Sequence, residues 1–106
     1  MDSQPARDDS EPTVSDDPEA RRYTVQVDGQ VAGFTMYRRH GDVTTFIHTE
    51  IGGEHAGQGL GSILVKGALD DVRARGGTIR PLCPFVRSYV ERHPEYGDLV
   101  VAGHVR

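Results

Sequence analysis

The chain has a single cysteine, Cys83, among 106 residues. An internal disulfide is therefore excluded, and a lone thiol suits a reducing compartment. No apolar run approaches the roughly 20 residues of a membrane span, and the N-terminus lacks the apolar h-region of a secretory signal. These absences predict a cytoplasmic protein with no membrane partner. The histidines (His40, His48, His55, His93, His104) show no i, i+4 pairing and have no companion cysteines, so no metal site is expected. A strong basic patch is missing as well. Residues 1–20 hold seven Asp/Glu against one Arg, a balance of −6, while residues 21–106 hold eleven Lys/Arg against nine Asp/Glu, or +2. The net −4 thus belongs to the N-terminal segment. A slightly basic remainder suits an anionic small ligand and argues against nucleic acid.

Residues 1–20 are also nearly devoid of large apolar side chains. Such a segment buries too little surface to offset its ordering entropy, which predicts a disordered acidic N-terminal tail. One domain of modest core is then expected over residues 21–106. Tyr23, Val25 and Val27 alternate with polar residues as in a half-buried strand. Asp28-Gly29 is a two-residue hairpin signal, and Val31 to Tyr37 reads as the next strand. After a turn at Arg38–Asp42, Val43 to Ile51 reads as a third strand, completing an antiparallel meander. Its alternation sets Val43, Thr45 and Ile47 on one face and Phe46 on the other. From Leu60 the apolar positions Leu60, Ile63, Leu64, Ala68, Leu69 and Val72 follow a helical period, closed by Gly76-Gly77. Thr78 to Cys83 is a short strand in which Pro81 marks a bulge or a splayed edge. Pro84 opens a second helix through Phe85, Val86, Tyr89 and Val90, ended by Pro94. Leu99 to Val101 is one last short strand or an ordered tail.

What stands out is Gly57-Gln58-Gly59-Leu60-Gly61-Ser62, running straight into the first helix. Glycines at alternate positions let backbone approach a ligand closely. The first amides of a helix lack internal partners and sit at the positive end of its dipole, a site for a phosphate or diphosphate. Two familiar motifs are excluded. No Lys follows the glycines as a P-loop requires. The dinucleotide fingerprint needs a sixth-position glycine, where Ser62 stands, and a preceding strand of a parallel sheet.

The segment Ile51 to Val65 resembles the acetyl-coenzyme A signature of the GNAT superfamily of N-acetyltransferases: a strand-end apolar residue, then Arg/Gln-x-x-Gly-x-Gly/Ala opening a helix. Ile51, Gly59 and Gly61 match. Ala56 departs, standing where Arg or Gln is usual; that residue supports the loop, so recognition by backbone amides survives. The stretch Pro81-Leu82-Cys83-Pro84-Phe85, with Tyr89 to Tyr96 after it, is similar to a small single-domain GNAT subfamily, and the likeness spans Arg22 to Val100. It implies an α+β fold of the GNAT type in short form: antiparallel strands, then helix–strand–helix, in a mixed sheet with two adjacent strands splayed. The pantetheine arm of acetyl-CoA would lie in that gap against the backbone of Thr49, Glu50 and Ile51. Its diphosphate would sit on Gly57, Gln58, Gly59, Leu60, Gly61 and Ser62.

Acetyl transfer to an amine needs a deprotonated nitrogen, a polarised thioester carbonyl and a proton for the departing thiolate. A backbone N–H near Ile51 would stabilise the developing oxyanion. Glu50 and His48, on one side of the strand, are the candidates for taking the amine proton; the alternatives are a solvated strand-end charge and a structural histidine. His55 reads as exposed. By the resemblance, Tyr89 lines up with the tyrosine that protonates the coenzyme A sulfur, or else it is a core aromatic beside Phe85, Val86 and Val90. Cys83 is expected at the N-cap of the second helix, the kind of position where reactive thiols are found. It would relay the acetyl group, contact the thioester without reacting, or be an inert buried thiol. Direct transfer is the route the resemblance favours. Only a two-residue turn joins the first two strands, where larger members place helices that wall the acceptor site. A protein, peptide or other large amine is thus easier to accommodate, on a monomer or homodimer. The alternative is a non-catalytic coenzyme A-binding sensor or interaction module.

Overall fold

The computed structural model describes residues 11–53 and 59–101. Five strands form one sheet in the order β1 (Thr13–Asp17), β2 (Arg22–Val27), β3 (Gln30–His40), β4 (Val43–Ile51) and β5 (Thr78–Pro81). Neighbours among β1–β4 are antiparallel, whereas β5 runs parallel to β4. A parallel neighbour needs a crossover, and helix α1 (Leu60–Ala74) supplies it. Helix α2 (Pro84–Arg92) and a 3₁₀ segment (Pro94–Leu99) follow. The β2–β3 hairpin turns on Asp28 (φ 53°) and Gly29 (φ 78°), the left-handed pair of a two-residue turn. At the C-terminal end, Val100 bridges to Ile79 and the Val101 N–H donates to the Ile79 carbonyl at 2.9 Å, so a single bridge stands where a strand or tail was expected.

The core lies between α1 and one face of the sheet. Tyr23, Val25, Tyr37 and Phe46 meet Leu64, Val65, Ala68, Leu69 and Val72, with Ile79, Val86, Tyr89 and Leu99 closing the far side. Phe46 points inward, as does the buried Thr44, so the Val43–Thr45–Ile47 side of β4 is the outer one. A bulge between the Met36↔His48 and Tyr37↔Phe46 pairs leaves Ile47 without a cross-strand partner. This is the interruption that simple alternation does not reveal.

The expected disordered tail is corrected at its second half. Residues 13–17 form β1, paired along its length with β2. Composition misleads here because the stabilising groups are not apolar. The Asp16 side chain, only 13% exposed, accepts from the Tyr37 hydroxyl at 2.6 Å, from Arg75 Nη2 at 2.7 Å and from Arg39 Nη1 at 3.3 Å. Tyr23 and Asp71 extend the network: the Tyr23 hydroxyl donates to Asp71 at 2.6 Å and accepts from Arg39 Nη2 at 2.9 Å. Charge-assisted hydrogen bonds thus do what apolar burial does elsewhere. Val14 completes the attachment against α1, where a Cβ on Gly67 would meet its side chain at 2.7–2.9 Å. Residues 1–10 lie outside the described residues.

Candidate active site

Pairing between β4 and β5 runs from Val43↔Thr78 to Phe46↔Pro81 and stops. Pro81, fully buried, has no N–H to extend the ladder. One further bond, from the Cys83 N–H to the Phe46 carbonyl at 2.9 Å, holds the chain as it turns into α2. Beyond it, among the described residues, His48 to Ile51 have a strand partner on the β3 side alone. The sheet is split at this end, between a bare β4 edge and the start of α2.

The thiol of Cys83 lies at this split. It is 3% exposed and its Sγ is 3.3 Å from Thr49 Oγ1, which is 2.9 Å from Thr35 Oγ1 across β3. Cys83 is the N-cap of α2, with extended backbone (φ −66°, ψ 126°), and its side chain makes no capping bond. The sulfur therefore faces Thr49 rather than the helix amides. Thr49 was singled out in the sequence for its backbone alone. Its side chain, on the inner face with Thr35, is a contact that sequence reasoning missed, although a threonine pair at matched strand positions is the pattern that could have shown it.

Helix α1 begins at the same end of the sheet. Gly59, its N-cap, has φ 74°, a left-handed conformation that favours glycine. The first intrahelical bond runs from the Ile63 N–H to the Gly59 carbonyl at 3.3 Å, leaving the amides before it to find acceptors outside the helix. Gly61 has a second role. A Cβ there would come within 2.5 Å of the Phe85 ring, so its smallness also lets the starts of α1 and α2 meet. Leu60 is buried and Ser62 is exposed. Gly57 and Gln58, the other expected contacts of a diphosphate, lie outside the described residues, as does His55.

His48 and Glu50 do come together, His48 Nε2 lying 2.9 Å from Glu50 Oε2. Both side chains are more than half exposed. They occupy the outer face of the sheet, opposite Thr49 and Cys83, so the expected site residues are divided between the two sides of β4. Tyr89 is buried, its ring stacked on His93 at 3.9 Å between centroids. Burial pushes its phenol above the ordinary value of 10.0, with Lys66 pulling the other way, so it stays protonated at neutral pH. Among the described residues no three His, Cys, Asp or Glu side chains gather as metal ligands. No described helix is long and apolar enough to cross a membrane.

A sheet split beside a cysteine-capped helix, with a glycine-capped helix start at the same end, defines an α+β fold of the acyl-CoA acyltransferase kind. The family model of the GCN5-related N-acetyltransferases matches residues 22–99, about three quarters of the chain, and the chain belongs to that family. The fold is similar to the NMR solution structure of a GCN5-like protein from Staphylococcus aureus. That comparison has a TM-score of 0.64 and 19% identity, and covers 92% of each chain. No curated protein matches the chain. The matched region starts at β2, so β1 and its Asp16 lie outside it while the partners Tyr37, Arg39 and Arg75 lie within.

Proposed function

We propose that the protein is an N-acetyltransferase that moves the acetyl group of acetyl-CoA to an amine by direct transfer. Proteins of this family use acetyl-CoA, and this chain's residues fit it. The observation that carries the reading is the split between β4 and β5, with the Cys83 thiol against Thr49 inside it and the start of α1 at the same end. The bare backbone edge at Thr49, Glu50 and Ile51 offers amide partners to a pantetheine arm. The amides of Leu60, Gly61 and Ser62, together with Gly57 and Gln58, would hold the diphosphate.

In the step itself a C–N bond forms to the amine and the thioester C–S bond breaks. The amine proton leaves to Glu50 or His48, directly or through water, and the thiolate takes a proton from Tyr89. A strand-end N–H near Ile51 steadies the oxyanion. Cys83 lines the acetyl site by contact. Among the described residues no helix walls the outer face near Glu50, which favours an amine carried on a peptide or protein. The test is release of free thiol from acetyl-CoA across an amine panel, with Cys83→Ala alongside. Turnover that falls at least about tenfold in Cys83→Ala, with acetyl-CoA still raising the melting temperature, supports the reading. Acetylation of Cys83 trapped by rapid quenching would replace direct transfer with a relay. Cofactor-stabilised melting without turnover would make the protein a binding module instead.

A further inference from the structure

The outer face of the sheet carries a further arrangement around Glu50 and His48. Matched pairs place Thr24, Phe34 and Glu50 side by side on β2, β3 and β4, and Arg22, Met36 and His48 in the next rank. The Arg22 guanidinium lies over the Phe34 ring at 5.1 Å, and the His48 ring is 6.4 Å from Phe34 on the other side. Val31, 53% exposed, adds apolar surface. Part of this surface is a shallow pocket of about 250 Å³ lined by Arg22, Val31, Ala32, Gly33, Phe34, Glu50 and Gly52. Opposite charges border it, Glu50 from β4 and Arg22 from β2, strands whose backbones lie roughly 10 Å apart. Arg22 Nε is buried and has no hydrogen-bond partner among the described residues.

We infer that this pocket seats the acceptor, and that the acceptor is an alkylamine bearing a carbonyl or carboxylate oxygen at the far end of its stem. The methylenes lie over Phe34 and Val31, the ammonium meets Glu50 and His48, and the oxygen meets Arg22. A lysine, free or within a peptide, is the simplest molecule with this pattern. The volume falls below the roughly 300 Å³ lower bound of small-molecule sites, so it suits one amine-bearing arm rather than an enclosed metabolite. Another outward pocket of similar size, about 270 Å³, is lined by Arg21, Arg38, Arg39 and His40. Its cationic wall repels an ammonium. The inference rests on the transferase reading, because Glu50 takes part in both.

The experiment is an amide ¹H–¹⁵N titration of the full chain without acetyl-CoA, using free lysine, Nα-acetyl-lysine amide and hexylamine. Both lysine compounds are expected to shift Val31, Phe34 and Glu50, and hexylamine to bind about tenfold more weakly for want of the oxygen. Stronger binding by free lysine assigns a free amino acid, and stronger binding by the capped compound assigns a peptide; either supports the seat. In Arg22→Gln the tenfold preference should vanish. Equal binding of hexylamine by the wild-type chain, or shifts gathered at Arg21, Arg38 and His40, would overturn the inference. Binding at the pocket without any turnover would sink the transferase reading and leave the seat standing. Turnover of amines that leave these amides unmoved would do the reverse.

Discussion

Asp16 shows how much one side chain can hold. Its carboxylate is the meeting point of Tyr37 and Arg39 from β3 and Arg75 from the C-cap of α1. Neutralising it weakens at once the acceptor shared by two guanidinium groups and a phenol, although Arg39 keeps Thr44 and Tyr23 and Arg75 keeps Asp71 as partners. Asp16→Asn is expected to lower stability by about 2–3 kcal/mol in urea unfolding. Glu19→Gln, an exposed change of the same kind, should stay within about 0.5 kcal/mol. Equal midpoints for the two variants would remove the network from the account. Nothing in the sequence separates Asp16 from its six acidic neighbours in residues 1–20, because its partners lie 21, 23 and 59 positions away. Cys83 was more legible. Its place just before Pro84 fixes it as a helix cap, and the strand before it fixes the junction. Its contact with Thr49 was not, since that depends on where the β4–β5 ladder stops.

Among the elements, α1 and β1 depend on each other through Gly67. A glycine inside a helix costs about 1 kcal/mol against alanine, so Gly67→Ala would stabilise an isolated α1. In the folded chain the added methyl meets Val14 at 2.7–2.9 Å. Overpacking of that order costs about 1–3 kcal/mol, and the substitution is expected to destabilise, with faster amide exchange in β1. A higher melting temperature for Gly67→Ala would mean that β1 does not pack there. Gly59 predicts differently. Its side is open, with nothing within 4 Å of a Cβ, but its φ is +74°. Gly59→Ala should cost about 1–2 kcal/mol of backbone strain and weaken acetyl-CoA binding more than Gly76→Ala, which carries the same strain at the other end of the helix. Equal affinities, read by calorimetry, would detach the α1 start from the cofactor. The helices and the β2–β3 hairpin were readable because each is set by local chemistry: apolar period, glycine stops, Pro84 and Asp28-Gly29. β1 was not, because it forms only against β2 and α1.

At the scale of the whole molecule, tyrosine hydroxyls bonded to carboxylates tie β3 to β1, and β2 and the 3₁₀ segment to α1. Burial and the bond to Asp16 push the Tyr37 phenol up to about 12, and burial with the bond to Asp70 does the same for Tyr96. Burial and Asp71 raise Tyr23 as well. A phenol whose pKa is raised on folding gives stability that is whole below its ordinary value of 10.0 and is lost as pH climbs toward 12. The melting temperature should therefore drop from about pH 10 to 12, less steeply in Tyr96→Phe. An unchanged slope would contradict the bonding to Asp70. The family was legible from Ile51 to Val65 and from Pro81 to Tyr96, since those segments carry backbone geometry in their residue types. The division of the site was not, because a bulge at Ile47 and the end of one ladder decide which side of β4 each group faces. Each proposed role depends on where acetyl-CoA binds, and the most direct measurement is a crystal structure of the complex. The expected result has the diphosphate within hydrogen-bond reach of the Gly61 and Ser62 amides and the thioester between β4 and Cys83. A diphosphate lodged elsewhere, or crystals saturated with acetyl-CoA that hold none, would contradict it.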